Sequence, residues 1–170
     1  MEQQTAQPNP NVTPVVKPAS IGDESHVRQV LSEYAEAIRS GKIDAIVNFY
    51  ASDIIAFDLV SPLKTIGKDA YKKSWDEFIA SCQFPVGYEF SDLMIKCVDD
   101  LAVSYALIHM TGTSKSGENM DCWFRMTDTL KKEGETWKIS HEHVSVPVDM
   151  KSGKALMDLK PDTPAVTAAH

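Results

Sequence analysis

Between Asp23 and Gly41 the apolar residues Val27, Val30, Leu31, Tyr34, Ala35 and Ile38 fall at i, i+3, i+4, i+7, i+8 and i+11, one stripe along a helix. Asp23 stands where an N-cap is expected, and Gly41 takes the C′ place that favours a left-handed backbone. A short second helix follows, with Ile43, Ile46, Val47 and Tyr50 on one side. The run SDIIAFDLV then reads as a strand, and GKDAYKKSWDEFIASC as a third helix whose Tyr71, Trp75, Phe78, Ile79 and Cys82 share a face. After Pro85 the period shortens to two. VGYEFSDLMIKCV, LAVSYALIHMTGTS, ENMDCWFRMTDTLKKE and WKISHEHVSVP read as strands, parted by turns at Asp99-Asp100, Ser116-Gly117 and Gly134. Helices first and a meander of strands afterwards predict an α+β fold. A curved antiparallel sheet of four to six strands wrapped around the three N-terminal helices would enclose a cavity.

The two ends break this pattern. The segment MEQQTAQPNPNVTPVVKPAS holds four of the nine prolines and no aromatic residue, too little apolar surface to offset the entropy of ordering, so residues 1–22 are expected to form a flexible tail. Residues 23–150 are expected to form the single domain of this 170-residue chain, and residues 151–170 a C-terminal extension ending in the proline-spaced PDTPAVTAAH. A formal net charge of −7 argues against a phosphate-binding surface, so no nucleic-acid partner is expected. Cys82, Cys97 and Cys122 are odd in number and lack CxxC spacing, which suggests neither a disulfide framework nor a zinc knuckle. With no apolar run near the roughly 20 residues of a membrane helix, no membrane partner is expected. The expected location is cytoplasmic, with an exported origin open should the tail follow a removed signal peptide.

Candidate chemistry enters with the last strand. Period two puts Trp137, Ile139, His141, His143 and Ser145 of WKISHEHVSVP on one face, so a core-facing strand is expected to end in two imidazoles and a hydroxyl lining a pocket. Asp58 follows Ile54 and Ala56 on one strand face, and a carboxylate on an apolar face is either paired or raised in pKa. Tyr34 lies on the apolar stripe of the first helix, either packed or donating a hydrogen bond into the cavity. Trp75, Cys122, Phe124 and Ser145 are the expected ligand-contacting residues, with Trp75 and Phe124 forming an apolar floor. A metal would need a third ligand beside the His-x-His pair, such as His109 or Asp58, and neither metal nor cofactor is expected.

The run YAEAIRSGKIDAIVNFYASDIIAFD, then GKDAYKKSW, then four strands ending GETWKISHEHVSVP, resembles the nuclear transport factor 2-like superfamily over roughly residues 23–148, and within it the SnoaL-like and ketosteroid isomerase-related proteins. The resemblance implies a cone-shaped α+β barrel with a deep pocket, commonly dimeric, and hosts that include isomerases, cyclases, dehydratases and non-enzymatic binders. It matches Tyr34, seven residues before Gly41, to the isomerase's hydrogen-bond donor, and Asp58, five after Asp53, to its catalytic base. The second oxyanion donor falls on Cys122, with Asp121 on the opposite face unless a bulge rescues it. The strand HEHVSVP is also similar to the His-x-His-x-Ser strand of the calcium/calmodulin-dependent protein kinase II association domain, but has Val144 where that strand has arginine. Two functions follow as expectations: proton transfer on a small, mostly apolar carbonyl compound by an isomerase or lyase, or a non-catalytic binding or assembly module holding a small carboxylate. In either case a homodimer is expected, paired through an outer sheet face carrying Trp123, Met126 or Val144.

Overall fold

The computed structural model describes residues 21–161; residues 1–20 and 162–170, which contain most of the expected tail and the end of the expected extension, lie outside the described residues. The chain runs α1 (Ile21–Ser40), α2 (Ile43–Asn48), β1 (Tyr50–Phe57), β2 (Thr65–Ile66), α3 (Lys68–Ser81), β3 (Cys82–Val98), β4 (Leu101–Ser114), β5 (Asn119–Glu133) and β6 (Thr136–Ser145). The last two residues expected as tail thus belong to α1, and Asp23 sits in its first turn, where its charge meets the positive end of the helix dipole. Every residue of the expected α1 stripe is buried. Gly41 ends the helix at φ +65°, and the Phe84 ring lies 2.7 Å from the place a Cβ would take, so both backbone and packing require glycine there.

The fold is α+β, with one six-stranded curved, unclosed sheet in the order β2-β1-β6-β5-β4-β3. Its pairings are antiparallel except that of β1 with β6, which is parallel. A parallel pair needs a long crossover, and here α3 and four strands separate the partners. The inner face of β4 and β5, with Ala102, Ala106, Ile108, Phe124, Met126 and Leu130, closes the core with α1. No helix among the described residues is long and apolar enough to cross a membrane.

One irregularity in β6 overturns the expected facing of its second half. Leu130 pairs with Ile139 and Thr129 with His141, so Ser140 is an extra residue. Its hydroxyl donates to the Thr129 carbonyl at 3.0 Å. A bulge of this kind breaks the period of two. Trp137 and Ile139 point into the core, then Glu142 and Val144 do, while His143 is exposed and His141 half-buried on the other face.

Candidate active site

A cavity of about 480 Å³ opens between α1, α3 and the inner face of the sheet. Its walls are largely aromatic, with Tyr34 from α1, Tyr71, Trp75 and Phe78 from α3, Tyr88 from β3 and Phe124 from β5. The rings hold one another edge to face; Tyr34 meets Trp75 and Tyr88 at centroid distances of 6.4 Å, interplanar 87° and 81°. Into this apolar box project the carboxyls of Glu142 and Asp58. Met157 closes part of the rim: the segment after β6 folds back through a Val148–Ala155 bridge and brings this side chain into the lining.

Glu142 is the terminus of a directed hydrogen-bond chain. The Trp75 indole can only donate, and gives its N–H to the Tyr50 hydroxyl at 2.8 Å. Tyr34 donates to Glu142 Oε2 at 2.8 Å, so the 2.6 Å contact between Tyr34 and Tyr50 is supplied by the Tyr50 proton. Tyr71 donates to Glu142 Oε1. Protons thus point from Trp75 through Tyr50 and Tyr34, and separately from Tyr71, toward one carboxylate. This arrangement stabilises the ionised form, because hydroxyls donate more strongly to a charged carboxylate than to a neutral carboxyl.

Burial opposes it. Glu142 is 2% exposed, and loss of hydration pushes its pKa from the ordinary 4.5 up to about 7; the Tyr71 and Tyr34 hydrogen bonds hold it down and the charge of Asp58 adds to the rise. Asp58 is also pushed up by burial, against the hydrogen bond it accepts from the Leu59 amide at 2.6 Å. Directly across the β5–β6 ladder from Glu142 lies Asp128, fully buried, with Oδ1 unpartnered and Oδ2 reached only by Ser104 at 3.4 Å. Burial and then the Glu142 charge raise the Asp128 pKa well above the usual range. Two adjacent buried carboxyls do not both ionise readily. The one with the tyrosine donors takes the charge, and Asp128 keeps its proton.

Of the residues singled out in the sequence, Tyr34, Asp58, Trp75, Cys122 and Phe124 line this cavity. His141, His143 and Ser145 do not. His141 contacts the Ile55 carbonyl through Nδ1 at 2.7 Å and meets Phe57 edge-on. His143 and Ser145 line a second, more open hollow with Leu63 and Lys64. The bulge at Ser140 is the reason, since it moves the even-numbered residues of this stretch inward. Cys122 pairs regularly with Met110 and Asp121 with Thr111, so no bulge brings Asp121 inside; it contacts His109 Nε2 at 2.8 Å and Lys160 at 3.5 Å. His109 is not among the lining residues and stacks on Trp123 at 4.4 Å. Sequence reasoning missed Glu142, Tyr50, Tyr71 and Asp128 as polar groups of the site. Asp128 alone carried a usable signal, a carboxylate in the alternation Phe124, Met126, Asp128, Leu130.

An inward pocket of this shape, between helices and a curved sheet, agrees with a match of residues 27–149 to the sequence profile of the SnoaL-like domain. The chain belongs to the SnoaL-like domain family. This SnoaL-like domain is similar in structure to an NTF2-like protein of unknown function from Pseudomonas putida, at 34% identity, covering 84% of this chain and 99% of that one with a TM-score of 0.77. A ketosteroid isomerase-like protein from Erwinia carotovora atroseptica shares the fold at 18% identity, with 74% and 97% covered and a TM-score of 0.65. So does a candidate scytalone dehydratase from Novosphingobium aromaticivorans, at 14% identity, with 85% and 96% covered and a TM-score of 0.68. No curated protein sequence matches the chain.

Proposed function

We propose that this SnoaL-like domain binds a small, mostly apolar carbonyl or hydroxy compound and moves a proton on it, as an isomerase or lyase does. The observation that carries the reading is Glu142, a carboxyl of pKa about 7 held by tyrosine hydroxyls inside an aromatic cavity. A proton-transfer group works best with a pKa near the operating pH, and a dry cavity strengthens each hydrogen bond made in it. Glu142 takes a proton from the carbon beside the carbonyl, and the electron pair moves onto oxygen as an enolate. Asp58, whose carboxyl is also raised, gives a proton to that oxygen or to a departing β-hydroxyl, which leaves as water. Return of the proton to another carbon completes an isomerisation; loss of water completes a dehydration. Tyr34 and Tyr71, committed to Glu142, are positioning residues here rather than donors to the ligand. The names of the isomerase-like and dehydratase-like neighbours support the class of reaction by analogy only.

Solvent deuterium exchange, followed by NMR over a panel of cyclic enones and β-hydroxy ketones, tests this. Glu142→Gln should slow exchange by on the order of 10² or more while ligand binding persists. An unchanged rate in that variant would sink the assignment. The carboxylate-holding alternative gains no support from this cavity, since its lining contains the three carboxyls of Asp58, Glu77 and Glu142 and no Lys, Arg or His among the described residues.

We also infer that two copies pair through the outer sheet face. Met126 and Val144, expected on that face, point inward instead. The apolar residues found there are Ile55, Phe57, Val103 and Tyr105, each 38–48% exposed, beside the stacked Trp123 and His109. A two-fold axis through this sheet would cover the same patch on both copies.

A further inference from the structure

We propose that the cavity selects its ligand by charge, taking a ring compound that bears an ammonium group and rejecting the carboxylate of the same skeleton. This deepens the reading above by naming the substrate class, and rests on that cavity being the ligand site. The first ground is what lines it. Glu142 and Asp58 project inside and Glu77 stands in the lining on α3, with no cationic side chain among the described lining residues. The second ground is the wall. Tyr34, Tyr71, Trp75, Tyr88 and Phe124 surround the space with π systems whose faces attract cations, most strongly where water is excluded. A volume of about 480 Å³ falls within the range of small-molecule sites, so a ring and an amine fit together.

The third ground is what Glu142 lacks. Its oxygens accept from Tyr34 on α1 and Tyr71 on α3, and the Tyr50 hydroxyl on β1, whose proton goes to Tyr34, stands 3.4 Å from Oε1. The other titratable groups acting on it or acted on by it are Asp58 after β1, Tyr88 on β3 and Asp128 on β5. All are neutral or acidic. Hydroxyls satisfy the lone pairs but leave the net charge uncompensated, so an ionised Glu142 is a buried anion without a counter-cation among these neighbours. An ammonium group supplies the missing charge. A ligand carboxylate would instead bring a second negative charge beside the ionised Glu142 in a low-dielectric space.

The affinity for the amine should therefore rise as Glu142 ionises, and that for a carboxylate should fall. The test uses three probes of one skeleton, 3-phenylpropylamine, 3-phenylpropanol and 3-phenylpropanoate, titrated into the full chain at pH 6 and pH 8 by calorimetry or by Trp75 fluorescence. At pH 8 the amine should bind about tenfold or more tighter than the alcohol, and the carboxylate weakest. Between pH 8 and pH 6 the amine should lose affinity several-fold, up to about tenfold, as the ionised fraction of a group titrating near pH 7 falls. The alcohol should change little. Glu142→Gln should abolish the pH dependence for the amine, and the wild-type series decides the question even if that variant does not fold. A carboxylate that binds as well as the amine, an amine no tighter than the alcohol, or no binding by any probe overturns the proposal. The charge order is read from binding alone. It can fail while deuterium exchange on uncharged ketones succeeds, or hold while exchange is absent, so the two readings fall separately.

Discussion

Replacing Glu142 by glutamine should change how the stability of the fold depends on pH. The carboxyl is 2% exposed and its pKa in the folded chain is raised from 4.5 to about 7. Between those two pH values the folded state holds a proton that the unfolded chain has released. Stability contributed by this site is therefore present at low pH and is lost as pH rises toward 7, levelling off above it. At 1.36 kcal/mol per pKa unit, the loss between pH 5 and pH 8 comes to roughly 2.5 kcal/mol. For a domain of this size, that corresponds to a fall of roughly 8 °C in melting temperature. The substituted amide cannot titrate, and burial continues to raise Asp58 and Asp128 in both proteins. Melting curves by circular dichroism at pH 5, 6, 7 and 8 should show Glu142→Gln gaining on wild type steadily as pH rises, whatever its offset at pH 5. A constant offset, or a gain toward low pH, would mean that the tyrosine hydrogen bonds outweigh burial and hold Glu142 ionised throughout, which would refute the reasoning.

Tyr71→Phe removes a donor to Glu142 and should push that carboxyl's pKa higher still, visible as a shifted side-chain carbon titration by NMR; a downward shift would contradict the direction of the hydrogen bond. Gly41→Ala places a Cβ on the Phe84 ring at a positive φ, and should cost on the order of 1–3 kcal/mol in urea unfolding. Light scattering should give twice the chain mass at micromolar concentration, and Val103→Glu with Tyr105→Glu should return the monomer; a wild-type monomer at that concentration would remove the outer-face interface.

Much of the architecture was legible because it rests on local periodicity. The α1 stripe from Val27 to Ile38 and the alternation in β4 and β5 state which side chains leave water, and the burial of those faces forces helices to pack on a sheet. Gly41 announced its turn, since few other residues accept that backbone. The cavity-lining positions of Tyr34, Asp58, Trp75, Cys122 and Phe124 followed from parity together with the family resemblance.

What the chain's own pattern could not state is where the period of two would break. Ser140 looks like an ordinary polar strand residue, and its insertion is decided by how β6 must reach both β5 on one side and a parallel β1 on the other. That tertiary demand turned His141 and His143 outward and Glu142 inward. It also brought Tyr34, Tyr50 and Tyr71, which lie 108, 92 and 71 positions from Glu142, onto one carboxylate. Local sequence determines what a strand or helix buries on each face. Which polar groups share a cavity, and hence which carboxyl titrates near neutrality, is set by long-range register and burial, and only the assembled fold decides it.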